Sequence, residues 1–334
     1  MKNIFLYLDK KGAEWVVVAF LSGDARMMEV CRSGDNPHIV TASHMFGLPG
    51  EVILRERKLL EGVSGTLEIR KARASIADEL KPAAFLPATL PLYDCGKRSN
   101  HGLNYKEGYK GFALLNGIME AEAKRIVEGY SHKREGNGRT RSPEYTGVYP
   151  GVARWHDETE AQVRRHKHLI SCWGRKIPFM GVMDQNLFRK AFSALPQSTV
   201  VDLVNRAMVN AFRERSAPFA KALLLQQTHD SLTYQYPLAC MEDMAEFVSR
   251  LAFSERFMNP IMDYGEREFR IGTDMKIGFS LGQMHDCPIS PDSSEQLSHL
   301  TSAIEMAKEK SHYFPHKSIT LNARSAESAC AEGR

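Results

Sequence analysis

The sequence predicts an α+β protein in which a sheet-based domain carries a mainly helical insertion. Apolar, strand-like segments lie towards the two ends of the chain, at 4–20, 222–236 and 269–279. A basic, mostly helical block of about 120 residues separates them. The length of 334 residues, with 43% hydrophobic and 25% charged residues, suits a globular chain of about two domains.

Taken in order, Ile4 to Leu8 reads as a buried strand ending at Asp9. The apolar run from Glu14 to Leu21 suits either strand or helix. Ser22-Gly23-Asp24 is a turn, "ARMMEVC" restarts a helix, and "IVTASHMFG" is a helix stopped by Gly47. Residues 51–85 are polar and helix-compatible, and the prolines of 81–94 mark a linker or a broken helix edge. Residues 96–130 read as helix, glycine break, helix. A basic loop at 131–145 leads to a polar helix over 152–171. The clearest helix is 197–215, with Ser198 or Thr199 as its cap and Val200, Leu203, Val204, Ala207, Met208 and Ala211 as its apolar stripe. A hairpin spans 223–236, an amphipathic helix 241–257 and a strand 269–282. A helix near 294–310 and a polar tail complete the chain. There is no internal repeat.

Bulk properties exclude several classes. The net charge of +4 does not by itself argue for nucleic acid. Six cysteines include no CxxC pair, which argues against a structural zinc cluster and for free thiols in a reducing cytoplasm. No signal peptide opens the sequence, and the longest apolar run, Trp15 to Leu21, is too short to span a membrane. No membrane partner is expected.

Two carboxylates carry the chemistry. Asp9 ends a strand and Asp230 tips a hairpin, beside His229. On neighbouring strand ends of one sheet, such a pair can hold two divalent metals about 3.5–4 Å apart and serve in-line phosphoryl displacement. Magnesium needs few protein carboxylates when substrate phosphates complete its shell. The plainer reading makes Asp230 a turn residue. "MHDC" (284–287) carries the same His-Asp pair, and there a surface loop outside any hairpin is expected.

Three blocks in order point further. "LDKKGAEWVVVAFLSGDARM" (8–27) resembles motif A of the family A DNA polymerases, the group of bacterial polymerase I and related phage enzymes, through Asp9, Glu14 and Leu21-Ser22-Gly23-Asp24. "GKRSNHGLNYKEG" (96–108) resembles motif B, with Lys97 and Tyr105 eight residues apart. "QQTHDSLTYQ" resembles motif C, with His229-Asp230. "DNPHIVTASHMFG", "YPGVARWHDETEAQVRRHKHLISCWGRK", "FRKAFSALPQSTVVDLVNRAM" and "FRIGTDMKIG" are also similar to family counterparts. The resemblance covers roughly residues 4–282, about five-sixths of the chain.

It implies a right-hand polymerase palm, an antiparallel sheet with helices, and a mainly helical fingers insertion. Residues 1–50 and 176–285 would be palm, 51–175 fingers, and 286–334 a C-terminal helix and polar tail. Thumb and exonuclease domains would be absent. Asp9 and Asp230, with the Lys10 backbone carbonyl, would bind two magnesium ions, with manganese as a substitute. Lys97, His101, Tyr105 and Glu14 would bind the nucleotide. Lys97 would neutralise phosphate charge, and Tyr105 would stack under the templating pair while hydrogen-bonded to Glu14. Glu14 would fill the space that a ribose 2′-hydroxyl needs. Arg189, Gln197 and His229 would touch primer-template DNA, Gln197 through minor-groove acceptors. Residues 164–176 could meet phosphate backbone, whereas the 131–141 charges read as solvated surface.

The implied activity is template-directed addition of dNTP to a primer, by a split or truncated DNA polymerase whose thumb and exonuclease come from a second polypeptide. The location would be cytoplasmic, the host cytoplasm for a phage-encoded chain. Departures from the pattern favour an alternative, an inactive remnant that binds nucleic acid or docks on a partner. Lys11 and Gly12 replace the Ser-Gln that precedes the motif A Glu. Val16 stands where motif A carries Arg, Tyr93 where motif B begins with Arg, and Lys106 where a glycine is usual. Lys10, Lys11 or Arg98 could supply the missing charge. A single-subunit RNA polymerase is the third reading; Glu14, five residues after Asp9, argues against it.

Overall fold

The computed structural model describes residues 3–134 and 143–310. Part of the expected basic loop, 135–142, and the polar tail beyond 310 lie outside the described residues. Strand β1 (Asn3–Lys10) alternates as a one-sided strand should, with Ile4, Leu6 and Leu8 fully buried. Burying each of those side chains contributes about 2 kcal/mol. The ambiguous run after it is helix α1 (Ala13–Ser22). Helix α2 (Ala25–Ser33) starts at Asp24, whose carboxylate accepts the Arg26 and Met27 amides. Helix α3 (Pro37–Phe46) starts the same way at Asn36 and stops at a left-handed Gly47.

Helices α4 (Gly50–Leu59) and α5 (Thr66–Arg73) lead through short 3-10 turns to α6 (Leu92–Gly102). A 3-10 turn, Leu103–Tyr105, precedes α7 (Tyr109–Asn116) and α8 (Glu120–Tyr130). The expected 131–145 loop contains two short paired strands, β2 (His132–Arg134) and β3 (Glu144–Thr146). Helix α9 (Pro150–His166) ends where Lys167 turns left-handed, earlier than the sequence suggests. The ribbon β4 (His168–Ile170) and β5 (Lys176–Pro178) follows. Helix α10 (Gln185–Arg213) contains Pro196, so Ser198 and Thr199 are interior and not caps. A proline costs one internal hydrogen bond, and burial of Phe188, Phe192, Leu195 and Val200 on either side holds the helix through it.

After α11 (Ala217–Ala220), strands β6 (Leu223–Thr228) and β7 (Ser231–Pro237) form the expected hairpin, and α12 (Met241–Phe253) follows. The two-residue strands β8 (Met262–Asp263) and β9 (Glu268–Phe269) pair before β10 (Thr273–Ser280). The 284–287 segment is not a loop. It belongs to β11 (Gln283–Cys287), an edge strand in a hairpin with β10, followed by α13 (Ser293–Lys310). An edge strand with a solvated face carries little apolar alternation, so its sequence resembles a loop. Asp286 there is exposed and pairs with Lys276 at 3.4 Å.

The architecture is α+β, as expected. Two compact units divide it: residues 1–13, 198–263 and 268–334, and residues 14–197 with 264–267. These divisions differ from the expected ones at 50 and 175. The first unit holds a five-stranded antiparallel sheet in the order β11-β10-β1-β7-β6. Phe247 of α12 packs edge-on to Tyr234 and Phe219 at 5.0 Å. The second unit is mainly helical, and its centre holds a buried polar network. Thr41 Oγ1 lies 2.8 Å from the Tyr149 hydroxyl and donates to Asn100 Oδ1 at 2.9 Å. Tyr130 donates to Asn104 Oδ1 at 2.7 Å. A fully satisfied network of this kind fixes one arrangement of its helices.

Candidate active site

The sheet brings Asp9 and Asp230 together. Strand β1 pairs directly with β7, with Asp9 opposite Ser231, and the Lys10 amide donates to the Asp230 carbonyl at 3.1 Å. The Asp230 carboxylate lies within hydrogen-bonding reach of Asp9. Burial and then repulsion from Asp230 push the Asp9 carboxyl up to about 7. The Tyr7 hydroxyl donates to Asp9 Oδ1 at 3.4 Å, and a cleft of about 510 Å³ beside Asp9 is lined by Tyr7, Asp274 and Asp286. Among the described residues, no lysine or arginine forms an ion pair with Asp9 or Asp230, and no third His, Cys, Asp or Glu completes a cluster with them. Two like charges crowded on rigid paired strands without a cation form a donor set that fits hard divalent ions.

Local backbone chemistry explains the hairpin tip. Thr228 pairs with Ser231, leaving His229 and Asp230 as a two-residue loop. His229 takes φ 47°, a left-handed conformation that a non-glycine residue adopts at a cost of about 1 kcal/mol. The Lys10 side chain points elsewhere. It is fully buried, and its ammonium donates to the Met258 carbonyl at 2.6 Å, to the Ile271 carbonyl and to Thr273 Oγ1 at 2.9 Å. Burial pulls it down to about 7.

The second unit holds the other group. Lys97 and His101 are exposed on α6, four residues apart on one side of the helix. The neighbouring face of α6 is tied down. A Cβ on Gly96 would come within 2.2 Å of the His38 carbonyl, so only glycine lets α3 lie this close. Asn100 Nδ2 donates to the Pro37 carbonyl at 3.2 Å. Tyr105 follows in the 3-10 turn, and its hydroxyl donates to the Glu14 carboxylate. Burial and then Glu14 raise the Tyr105 phenol well above its usual range, so it stays a donor. Arg189 and Gln197 are exposed on α10, about 12 Å apart along its axis.

The suggested charge substitutes separate clearly. Lys10 is unavailable because its ammonium is enclosed by carbonyls. Arg98 is engaged by Asn116 Oδ1 at 3.0 Å, and Lys11 lies 4.0 Å from Asp274. Lys106 takes φ 58°, the conformation the usual glycine would favour, and is anchored to Glu160 at 2.8 Å. Two further residues, His38 and Arg57, do not stand out in the sequence. His38 accepts from Asn100 Nδ2 at 3.0 Å and stacks with His101 at 6.4 Å between ring centres. His38 lies within a matched stretch but carried no individual signal, and Arg57 lies in the uninformative polar segment.

The family model described as DNA polymerase family A matches residues 93–261, half of the chain. The chain belongs to DNA polymerase family A. The match includes Lys97, Tyr105, Arg189, Gln197 and Asp230, whereas Asp9 and Glu14 lie before it. Among relatives of this family A chain, the thermostable DNA polymerase I of Thermus aquaticus is 26% identical over 255 residues, 75% of this chain and 24% of that protein. The DNA polymerase of Mycobacterium phage D29 is 22% identical over 276 residues, 83% of this chain and 34% of that protein. The chain thus spans about a quarter to a third of these relatives. A solved structure, the POL domain of Pol1 from M. smegmatis in complex with DNA primer-template and dNTP, shares the fold with a TM-score of 0.56 and 19% identity. The alignment covers 83% of this chain and 40% of that one. Among the described residues, no helix is long and apolar enough to cross a membrane.

Proposed function

We propose that this chain is the palm-and-fingers portion of a DNA polymerase that adds dNTP to a primer 3′-hydroxyl on a DNA template. The observation that carries the reading is the Asp9–Asp230 pair on adjacent strands, with Asp9 raised to about 7 by burial and by its neighbour. Divalent cations, when bound, would supply activation of the hydroxyl and charge neutralisation at the phosphates. Asp9 and Asp230, with the Lys10 carbonyl, would hold them.

The remaining roles fall to this chain's own side chains. Lys97 would bind the triphosphate, and His101 would stack on the incoming sugar and base. Tyr105 would stack beneath the templating pair, its hydroxyl donated to Glu14. That bond orients Glu14 against a 2′-hydroxyl, which would face an occupied volume and a partnered carboxylate. Arg189, Gln197 and His229 would contact primer-template. Family membership supports DNA synthesis in general, and residues 1–50 and 176–285 as palm with 51–175 as fingers is the assignment we propose. A host cytoplasm suits a chain with phage relatives.

Primer extension with magnesium or manganese tests the reading. We expect incorporation by the chain, alone or with a thumb-bearing partner, and at least a hundredfold loss in Asp230→Ala, on the scale of removing a principal transition-state contact. Equal extension by Asp230→Ala would refute the site. No extension under any condition would favour the inactive remnant, the reading that Val16 and Tyr93 support.

A further inference from the structure

Helix α4 places a guanidinium beside the nucleotide face of α6. The Arg57 Cζ lies 4.2 Å above the Tyr93 ring, and Tyr93 is one turn before Lys97 on the same side of α6. His38 meets Tyr93 edge-on at 5.5 Å and stacks with His101. Burial first, and then the charges of His101, Lys97 and Arg57, lower His38 to about 4. His38 therefore stays neutral, with Nδ1 occupied by Asn100 and Nε2 left as a donor.

The placement of Arg57 is built in. Its neighbour Glu56 is fully buried, pairs with Arg73 at 2.8 Å and accepts the Leu92 amide at 2.7 Å. Glu56 thereby satisfies the first turn of α6 and fixes α4 against it. Arg57 is exposed, and among the described residues no carboxylate forms an ion pair with Arg57, Lys97 or His101. Unneutralised cations gathered around a neutral donor match a ligand with several negative charges close together. A planar guanidinium held over a ring suits a bidentate phosphate contact.

We infer that Arg57, carried on Tyr93, is a polyphosphate-binding residue that joins Lys97 in holding the triphosphate of the incoming nucleotide. The inference rests on the nucleotide role proposed for the α6 face. It makes α4, outside all three motifs, the source of a cation that Tyr93 cannot provide.

Titration of the full chain with inorganic tripolyphosphate, and separately with a single-stranded oligonucleotide, tests it. Arg57→Gln should weaken tripolyphosphate binding by about tenfold or more, the weight of one charge-assisted hydrogen-bond pair. Lys97→Gln should do the same, with circular dichroism unchanged. The double variant Arg57→Gln/Tyr93→Arg, which returns a cation to α6, should recover most of the loss. Binding by Arg57→Gln within about twofold of the unmodified chain, with Lys97→Gln impaired, would overturn the role of Arg57 and leave the nucleotide reading intact. Weakened oligonucleotide binding with unchanged tripolyphosphate binding would also overturn it, assigning Arg57 to a nucleic-acid backbone. No tripolyphosphate binding by the unmodified chain would overturn both.

Discussion

Lys10 and Asp9 are adjacent in sequence and do opposite things. Alternation along β1 sends the Lys10 side chain into the interior, where three acceptors meet its three N–H donors. Lys10→Met would strand the Met258 and Ile271 carbonyls, and we expect about 2 kcal/mol of destabilisation in urea unfolding. Asp9 instead carries a functional cost. Its carboxyl is raised from 3.8 to about 7, so between those values the folded state holds a proton that the unfolded chain has released. The Asp9 contribution to stability of the metal-free chain should therefore fall as pH rises from about 4 to about 7, then level off. Asp230→Asn removes the repulsion. At pH 8 it should stabilise the metal-free chain by about 1 kcal/mol, a value discounted for solvent screening of a half-exposed pair, while abolishing extension. Thermal melts across pH, with and without magnesium, read both effects. For discrimination, Glu14→Ala should raise ribonucleotide incorporation relative to deoxyribonucleotide by about a hundredfold, measured as the ratio of kcat/KM.

At the scale of elements, the end of motif A is a structural joint. Asp24 is buried, and Oδ1 accepts the Arg26 and Met27 amides while Oδ2 accepts the Gly151 amide at 2.8 Å. One carboxylate thus caps α2 and satisfies the start of α9. Asp24→Ala should cost about 3 kcal/mol, because three donors, two of them buried, lose their acceptor. A Cβ on Gly151 would lie 2.8 Å from the Asp24 Cα, so Gly151→Ala should also destabilise. Equilibrium unfolding of both variants checks this joint. The local pattern marks Asp24 only as a turn residue and a motif letter, because Gly151 is 127 residues away. It also began α10 at 197, since Pro196 reads locally as a stop. The burial that carries the helix through that proline is a property of its surroundings.

For the whole molecule, the order of strands in the sheet is what makes a site. Asp9 and Asp230 lie 221 positions apart, and β1 sits between β7 and β10 so that both β-hairpins flank it. DNA binding, if the proposed function holds, should weaken steeply with salt through released counterions, which binding assays at increasing salt would read. Much was legible in advance. The residue types and spacings of the three motifs, the one-sided pattern of β1 and the glycine stop of α3 are local chemistry, so the α+β class and the Glu14–Tyr105 partnership could be written from the sequence and its resemblance. Other features depend on which distant groups the folded chain brings into contact. Tertiary structure alone decided which acceptors enclose the Lys10 ammonium, that 283–287 is an edge strand, that α10 passes through Pro196 and that Arg57 stands over Tyr93. In each case the deciding energy is burial or desolvation by residues remote in sequence, and no local pattern encodes it.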